Sequence, residues 1–298
     1  KGYSKSFSTV ITAASGMVVP LIPPGVGLII YGCINNISIG KLFIAGIGPG
    51  IVLCVTLMIF THFLSKKRGY LPSRTTKIPV SEKIAAVRPA FLPLLLPIII
   101  IGGVRIGVFT ASEAGTVAIV YAVLLGLLYK ELTLKNVMQG CKETVTTTAS
   151  IMLIVAAATC FSWILTKEQI PQQFSQWMIS NIHNKYVFLI MVNIFLLIVG
   201  MFIEGNASMI VLAPLLHPVA MAYGIDDIHF AMVYIFNCTI GAFTPPMGTL
   251  MFVSCGITKC PTKDFIKEAV PFYILFAIDI IVLTYIPQLT TFLVNVFY

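Results

Sequence analysis

Charged side chains are scarce in this sequence. Asp, Glu, Lys and Arg make up 10% of its 298 residues, whereas hydrophobic residues make up 58%. Soluble globular domains carry about 25% charged residues, so this composition, with a mean hydropathy of +0.96, excludes a large soluble enzyme. Uncharged runs of about 18 residues or more recur, and each can cross about 30 Å of hydrocarbon as a helix. The composition predicts an all-α membrane protein.

The motifs of metal, redox and hydrolytic chemistry are absent as well. The seven cysteines form no Cys-x-x-Cys pair and have no His neighbour at metal-ligand spacing, which makes them small apolar packing residues rather than disulfides or ligands. No HExxH motif or nucleophile–base pair is present, so we predict that the protein is not an enzyme. An intramembrane enzyme using Glu204, His217 or Asp226 is the alternative.

The positive charge of the chain follows its loops. Although the net charge is +8, Lys and Arg lie mainly between apolar runs, a pattern that membrane topology explains and that predicts no nucleic-acid partner. The polar loop at 65–83 holds one acid, Glu82, and these basic residues: Lys66, Lys67, Arg68, Arg74, Lys77 and Lys83. Because basic loops concentrate on the cytoplasmic side, we predict that this loop is cytoplasmic.

The loop at 65–83 also divides the chain. Residues 1–64 contain an interrupted apolar run at 7–35 and a continuous one at 42–64. Residues 84–298 contain further spans, including the last one at 269–297, a paired apolar segment at 186–223 and an interrupted run at 228–257.

Both interruptions contain two adjacent prolines, Pro23-Pro24 and Pro245-Pro246. At an offset of 222 residues and without a gap, further residues match: Cys33 with Cys255, Lys41 with Lys263, Phe43-Ile44 with Phe265-Ile266, and Pro49 with Pro271. The basic loops place the first interrupted run inside to outside and the second outside to inside. The pattern indicates an inverted repeat, with residues 1–64 the end of the first copy and 84–298 the second.

The prolines explain why the breaks point to a ligand site. Proline removes an N–H group and clashes with the preceding turn, so backbone groups are left without helical partners. Such groups are tolerated at membrane depth only where protein buries them or where they line a cavity. Carbonyls of two such breaks can coordinate Na⁺, and half-helix N-termini can face an anion. Proline kinks used only for packing are the alternative.

Glu204 is the only acid in the apolar segment 186–223. An ionised carboxylate at membrane depth costs roughly 3 kcal/mol or more unless it is partnered. With Asn206 and Ser208 beside it, the stretch is interpreted as the tip of a re-entrant hairpin that carries oxygen ligands for substrate. The alternative is a full helical pair with its turn at the far membrane interface.

Two further polar residues have ordinary explanations beside functional ones. Glu113 follows Thr110 at the spacing of a helix N-terminal cap, where a carboxylate is favoured. His217, between Pro214 and Pro218, is interpreted as a buried histidine with its hydrogen bonds satisfied, a proton relay being the alternative.

Several ordered motifs resemble those of one family. They are IPPGVGLIIYG, FTASEAGTVAIVYAVLLG, GMFIEGNASMIVLAPLLHPVA and IGAFTPPMGTLMFVSCGI, and the chain is similar over essentially its whole length to the large membrane subunit of tripartite ATP-independent periplasmic (TRAP) transporters. The resemblance implies an elevator-type, sodium-coupled importer of organic acid anions in the bacterial inner membrane. It also implies two partners, a periplasmic substrate-binding protein and a small membrane subunit.

The resemblance also assigns residues. Gly16 with Ile22 and Pro23 matches one sodium-binding loop, while Gly241, Thr244 and Met247 match the other. Glu204 stands where the family usually has Asp, and Lys167 where many members have Arg, so both keep their charge with a different reach. Gly25 replaces a serine that is common after the double proline, which leaves a substrate hydroxyl contact there in question.

The repeat implies that roughly 130 further residues, including a partner of the 186–223 hairpin, belong upstream of this sequence. A sodium-coupled dicarboxylate or citrate carrier that works without a binding protein would share the same architecture. The substrate cannot be read from the sequence, since selectivity in such a system rests largely on the soluble partner.

Overall fold

The computed structural model describes residues 2–70, 79, 82 and 87–298. Within them the chain is helical and contains no strand, which confirms the all-α class. The helices are α1 (Lys5–Gly16), α2 (Val26–Asn35), α3 (Ile39–Lys67), a short 3₁₀ helix (Arg88–Ala90), α4 (Phe91–Ile106), α5 (Ala111–Leu128), α6 (Leu134–Lys167), α7 (Ile170–Asn181), α8 (Lys185–Phe202), α9 (Gly205–Ala222), α10 (Asp227–Gly241), α11 (Thr249–Thr258), α12 (Thr262–Tyr285) and α13 (Gln288–Phe297). Most of the predicted cytoplasmic loop at 65–83 lies outside the described residues.

Among the described residues, three helices, α3, α8 and α9, are long and apolar enough to cross a membrane. Helices α12 and α13 together make a fourth candidate span, bent by 49°. The sequence predicted the last span at 269–297, and the structure shows that this region is bent. The helix ends at Tyr285 because Pro287 lacks an N–H group and disfavours helical backbone at Ile286.

The chain is interrupted at both double prolines. Residues 17–25 separate α1 from α2, and residues 242–248 separate α10 from α11. The peptide bond between the two prolines is cis in both breaks.

The second half-helices do not keep the offset of 222 residues. Gly25 and Gly248 precede α2 and α11, while Asn36 and Lys259 end them in left-handed conformation, with φ of 56° and 54°. These pairs are 223 residues apart, because Met247 adds one residue between the second double proline and its helix. The shift pairs Leu28 with Met251, both of which are buried.

Helix α10 lies at the centre of the fold. It is buried on every face from Ile228 to Gly241 and packs against α8, α9, α3, α12 and α13. A helix that is apolar on all sides is stable only when other elements surround it.

Helices on either side of the two breaks pack reciprocally. Helix α1 packs against α11 and α12, and α10 packs against α2 and α3. The hydroxyl of Thr9 on α1 donates to the hydroxyl of Thr258 on α11 at 3.0 Å. Among these six helices, exchanging α1, α2 and α3 for α10, α11 and α12 gives the same pairs of neighbours.

The chain forms two compact units, residues 71–153 and residues 2–70 with 154–298. In the first unit α4 packs against α5, and Tyr121 Oη donates to the carbonyl of Leu92 at 2.7 Å. Thr110 and Glu113 form a reciprocal capping box at the start of α5, which confirms the helix-capping interpretation of Glu113. The second unit contains both proline breaks and the 186–223 segment.

Candidate functional site

The segment 186–223 forms a helical hairpin of α8 and α9 with its turn at Ile203 and Glu204. Its open ends meet where the rings of Phe188 and Tyr223 stack with centroids 4.6 Å apart. Tyr223 Oη also donates to the carbonyl of Ile182 at 2.8 Å. The tip with Glu204 therefore lies at the opposite end of the hairpin.

Glu204 caps the N-terminus of α9. Its carboxylate accepts a hydrogen bond from Ala207 N at 3.1 Å and one from Asn206 Nδ2 at 2.8 Å. The side chain is exposed, and no Lys or Arg of the described residues forms an ion pair with it. The charge thus faces outward from the hairpin tip, with free lone pairs for a ligand.

The hairpin tip packs directly against the second break. Gly200 and Gly241 touch through their backbones: a Cβ atom added at Gly241 would lie 2.6 Å from Gly200 Cα. Close by, Met247 N donates to the carbonyl of Met201 at 3.1 Å. The sequence analysis missed Gly200, because one glycine in a long apolar run carries no sign of its partner.

Ring packing fixes one end of the second break, and its backbone carbonyls accept no hydrogen bond from the backbone of the described residues. Phe243 is fully buried and its ring lies 5.4 Å and 5.2 Å from those of Phe265 and Phe276. No backbone amide of the described residues donates to the carbonyls at 243–247. The Thr244 hydroxyl donates to the carbonyl of Ile240 at 2.8 Å and keeps its lone pairs. This leaves several oxygen atoms beside the hairpin tip.

The first break follows the same plan and packs against α3. Its carbonyls at 22–24 receive no backbone hydrogen bond from the described residues. The Ile22 side chain fits against Gly50, where a Cβ atom would lie 2.5 Å from Ile22 Cγ1. Pro23 is buried, and a Cβ atom at Gly16 would lie 3.6 Å from Leu250 of α11.

Gly25 has a steric reason to lack a side chain. A Cβ atom there would lie 2.5 Å from the carbonyl oxygen of Pro20. A serine at this position therefore requires the backbone of the first break to shift.

The atoms that the breaks offer fit a sodium ion. Carbonyl and hydroxyl oxygens are hard, neutral ligands, and unwound backbone in transporters coordinates Na⁺ in this way. Among the described residues, no group of three or more His, Cys, Asp or Glu is placed to hold a metal ion.

Two predicted substrate residues have partners inside the protein. The hydroxyl of Ser208 is 1% exposed and lies 3.2 Å from Tyr234 Oη, which also donates to the Ser208 carbonyl at 3.0 Å. Lys167, at the end of α6, places Nζ 5.2 Å from the centroid of the Trp163 ring. Of the predicted substrate residues, Glu204 and Asn206 are hydrogen-bonded to each other at the tip.

His217 has a hydrogen-bond partner. Its Nδ1 atom lies 3.3 Å from the hydroxyl of the fully buried Tyr31. The bond joins α9 to α2, which agrees with the interpretation of a satisfied histidine.

A row of three hydrogen-bonded polar side chains, here called the polar row, joins the hairpin arm α8 to neighbouring helices and was also not predicted from the sequence. Asn237 Nδ2 donates to Asn193 Oδ1 at 2.8 Å, and Asn193 Nδ2 donates to Thr284 Oγ1 at 2.9 Å. All three residues are buried. The polar row joins α10, α8 and α12 and so fixes the hairpin arm α8 to α10 and α12.

We expect Asn193→Leu to destabilise the protein by about 1–3 kcal/mol, because Asn237 Nδ2 then keeps only the carbonyl of Val233 as acceptor and the buried Thr284 hydroxyl loses its donor. Thermal unfolding in detergent measures this as a lower Tm. Asn295→Leu, at an exposed position of α13, is the matched control and should leave Tm within the error. Equal Tm values for the two variants would contradict a structural role of the polar row.

Apolar helices interrupted by polar backbone, with a hairpin tip against one break, define a multi-pass membrane transport protein. The family model described as "Tripartite ATP-independent periplasmic transporter, DctM component" matches residues 1–289. The chain therefore belongs to the DctM family of TRAP transporters. It is a protein of the bacterial inner membrane, and its family is one of transporters rather than enzymes.

Characterised relatives are similar over nearly the whole chain. Identity is 40% to the sialic acid TRAP transporter large permease protein SiaM of Vibrio cholerae and 36% to the C4-dicarboxylate TRAP transporter large permease protein DctM of Pseudomonas aeruginosa; each similarity covers 99% of this chain and 69% of the relative. Identity to the sialic acid TRAP transporter permease protein SiaT of Haemophilus influenzae is 36%, over 99% of this chain and 48% of that protein.

Proposed function

We propose that this chain is the translocating subunit of a sodium-coupled importer of organic acid anions. The observation that carries the proposal is the contact of the hairpin tip with the second break, at Gly200 and Gly241 and at Met201 and Met247. It brings a carboxylate, Glu204, and a row of carbonyl oxygens into one region. Binding of a cation and of an anionic substrate there would be linked, because both depend on the same backbone.

Residues of the two breaks would hold the sodium ions. In the second break these are Gly241, Thr244 and Met247, and in the first Gly16, Ile22 and Pro23. The carbonyls of Ile22, Pro23, Thr244 and Met247 accept no backbone hydrogen bond from the described residues, so at these four positions replacing water around Na⁺ requires no helical bond to open. The carbonyls of Gly16 and Gly241 already accept from Val19 N and Thr244 N, at 3.2 Å and 3.0 Å. The positive ends of α2 and α11, which begin directly after the breaks, would favour an anion nearby.

The substrate site would lie at the hairpin tip. Glu204 and Asn206 present polar atoms there, and Lys167 would supply positive charge for the substrate carboxylate once it leaves Trp163. Gly25 would give the substrate access to the backbone of the first break, while Ser208 would hold α9 in place through Tyr234. We infer a C4-dicarboxylate or a sialic-acid-like anion, the classes that the names of the relatives state.

The repeat and its partners complete the proposal. The reciprocal packing of α1–α3 and α10–α12 supports an inverted repeat, in which the two breaks move together as an elevator against scaffold helices, with the hairpin re-entrant. A periplasmic binding protein would deliver the anion, and a small membrane subunit would brace the scaffold.

Uptake into proteoliposomes tests the proposal. The transporter is reconstituted with its small subunit, and uptake of radiolabelled C4-dicarboxylate and sialic acid is measured with and without an inward sodium gradient. Each condition is repeated with and without the cognate periplasmic binding protein. We expect uptake only when both are present. Uptake with sodium alone would instead identify a carrier that needs no binding protein, and uptake unaffected by sodium would refute the coupling.

A further inference from the structure

One buried acid takes no part in the proposed site. Asp279, in the middle of α12, is 2% exposed and lies about 16 Å along the helix from Glu268, at a rise of 1.5 Å per residue. It is on the same helix pair that qualifies as a membrane span. An ionisable side chain at such a depth is costly unless it is partnered or neutral.

Asp279 is hydrogen-bonded to the hydroxyl of Thr56, which has one proton and three oxygen atoms within hydrogen-bond distance. Thr56 Oγ1 on α3 lies 3.0 Å from Asp279 Oδ2, 3.0 Å from the carbonyl of Val52 and 3.1 Å from that of Leu53. A threonine hydroxyl has one proton to donate and accepts through its lone pairs. An ionised Asp279 would compete with two backbone carbonyls for that proton.

No charged group compensates for Asp279. The elements that pack against α12 are α1, α3, α8, α10 and α11. Their titratable groups are Lys5, Lys41, Cys54, His62, Lys66, Lys67, Lys185, Tyr186, Asp227, His229, Tyr234, Cys238 and Cys255, and α12 itself adds Lys263, Asp264, Lys267, Glu268, Tyr273 and Tyr285. Among the described residues none of these is hydrogen-bonded or ion-paired to Asp279.

We infer that Asp279 is a resident proton-binding site: it is a neutral carboxylic acid that donates from Oδ2 to Thr56 Oγ1. The Thr56 hydroxyl then donates to the carbonyl of Val52 or Leu53, so both protons of the pair have an acceptor. The ligand is a proton. The pair ties α3 to α12, the helices that follow the half-helices α2 and α11, and does so without a buried charge.

Infrared difference spectroscopy of the purified full chain tests this directly. At neutral pH the wild-type protein minus Asp279→Asn should show the C=O stretching band of a protonated carboxylic acid, and the band should move in D₂O. Thr56→Val, which removes the hydroxyl at nearly constant shape, should move the band to higher frequency because the acid loses its hydrogen bond. A wild-type spectrum that differs from that of Asp279→Asn only in carboxylate bands would overturn the inference.

Isotope labelling keeps the test valid if a variant fails to fold. The aspartates of the chain are Asp226, Asp227, Asp264 and Asp279, and Asp279 alone is buried. Wild-type protein labelled with ¹³C at the aspartate carboxyl should therefore show a downshifted acid band at neutral pH. If only carboxylate bands shift on labelling, Asp279 is ionised, as it would be as a ligand of a metal cation.

A second readout is the pH dependence of stability. A neutral buried acid makes the folded state bind one proton more than the unfolded state, so stability falls as pH rises. Because an unfolded aspartate ionises at about pH 4, the Tm of the wild-type protein relative to that of Asp279→Asn should fall as pH rises from about 4 until Asp279 ionises in the folded protein. Parallel Tm profiles from acidic to alkaline pH would contradict the proton site.

Discussion

Replacement of Glu204 by Gln is expected to abolish or sharply weaken sodium-driven uptake while the protein still folds. Glutamine keeps the size and one acceptor for the cap at Ala207, so the structural cost should not exceed about 1 kcal/mol. What it loses is charge, and hydrogen bonds to charged groups contribute about 1.5–3 kcal/mol. On that scale uptake should fall on the order of ten- to a hundred-fold. Initial rates in proteoliposomes under a fixed sodium gradient measure the effect.

Two further variants separate charge from folding. Glu204→Asp keeps the charge with a shorter reach and should retain part of the activity. Glu143→Gln removes an exposed carboxylate from α6 and should transport like the wild-type protein. If Glu204→Gln transports normally with unchanged sodium dependence, the hairpin tip is an interfacial turn and the substrate site lies elsewhere.

Gly241→Ala is expected to disrupt the contact between the hairpin tip and the second break. The new Cβ atom would lie 2.6 Å from Gly200 Cα, and a backbone neighbour cannot rotate away as a side chain can. Overpacking of this kind costs about 1–3 kcal/mol, so Tm should fall. Uptake should fall by a larger factor than this loss of stability alone would cause, because the clash also displaces the carbonyls that we propose bind sodium.

The stabilisation by sodium gives the more specific measurement. A ligand that binds the folded state raises its stability with concentration, so sodium chloride should raise Tm of the wild-type protein above that seen with choline chloride. The sodium effect should be smaller in Gly241→Ala, in which only the first break keeps its geometry. Gly256→Ala is the control, because a Cβ atom there meets nothing within 4 Å and alanine favours the helix. An unchanged sodium effect in Gly241→Ala would remove the second break from the sodium site.

Much of this protein could be predicted from its sequence, because the chemistry involved is local. The apolar composition indicates that the protein lies in a lipid bilayer. Because proline cannot continue a helix, Pro23-Pro24 and Pro245-Pro246 predict breaks whatever surrounds them. Glu204 was conspicuous for the same reason, since a lone acid among apolar residues requires an explanation without knowledge of its neighbours. The bend at Pro287 was equally local, and the long apolar run around it hid the signal.

Only the tertiary structure decided which distant groups meet. Three sets of contacts join helices whose relative rotation is set by packing. They are Gly200 with Gly241, the polar row from Asn237 through Asn193 to Thr284, and Asp279 with Thr56. The same packing turns the hydroxyl of Ser208 towards Tyr234. The sequence determined where the helices must break, because that depends on bonds within one segment. The structure determined what faces each break, because that depends on close packing among segments far apart in the chain.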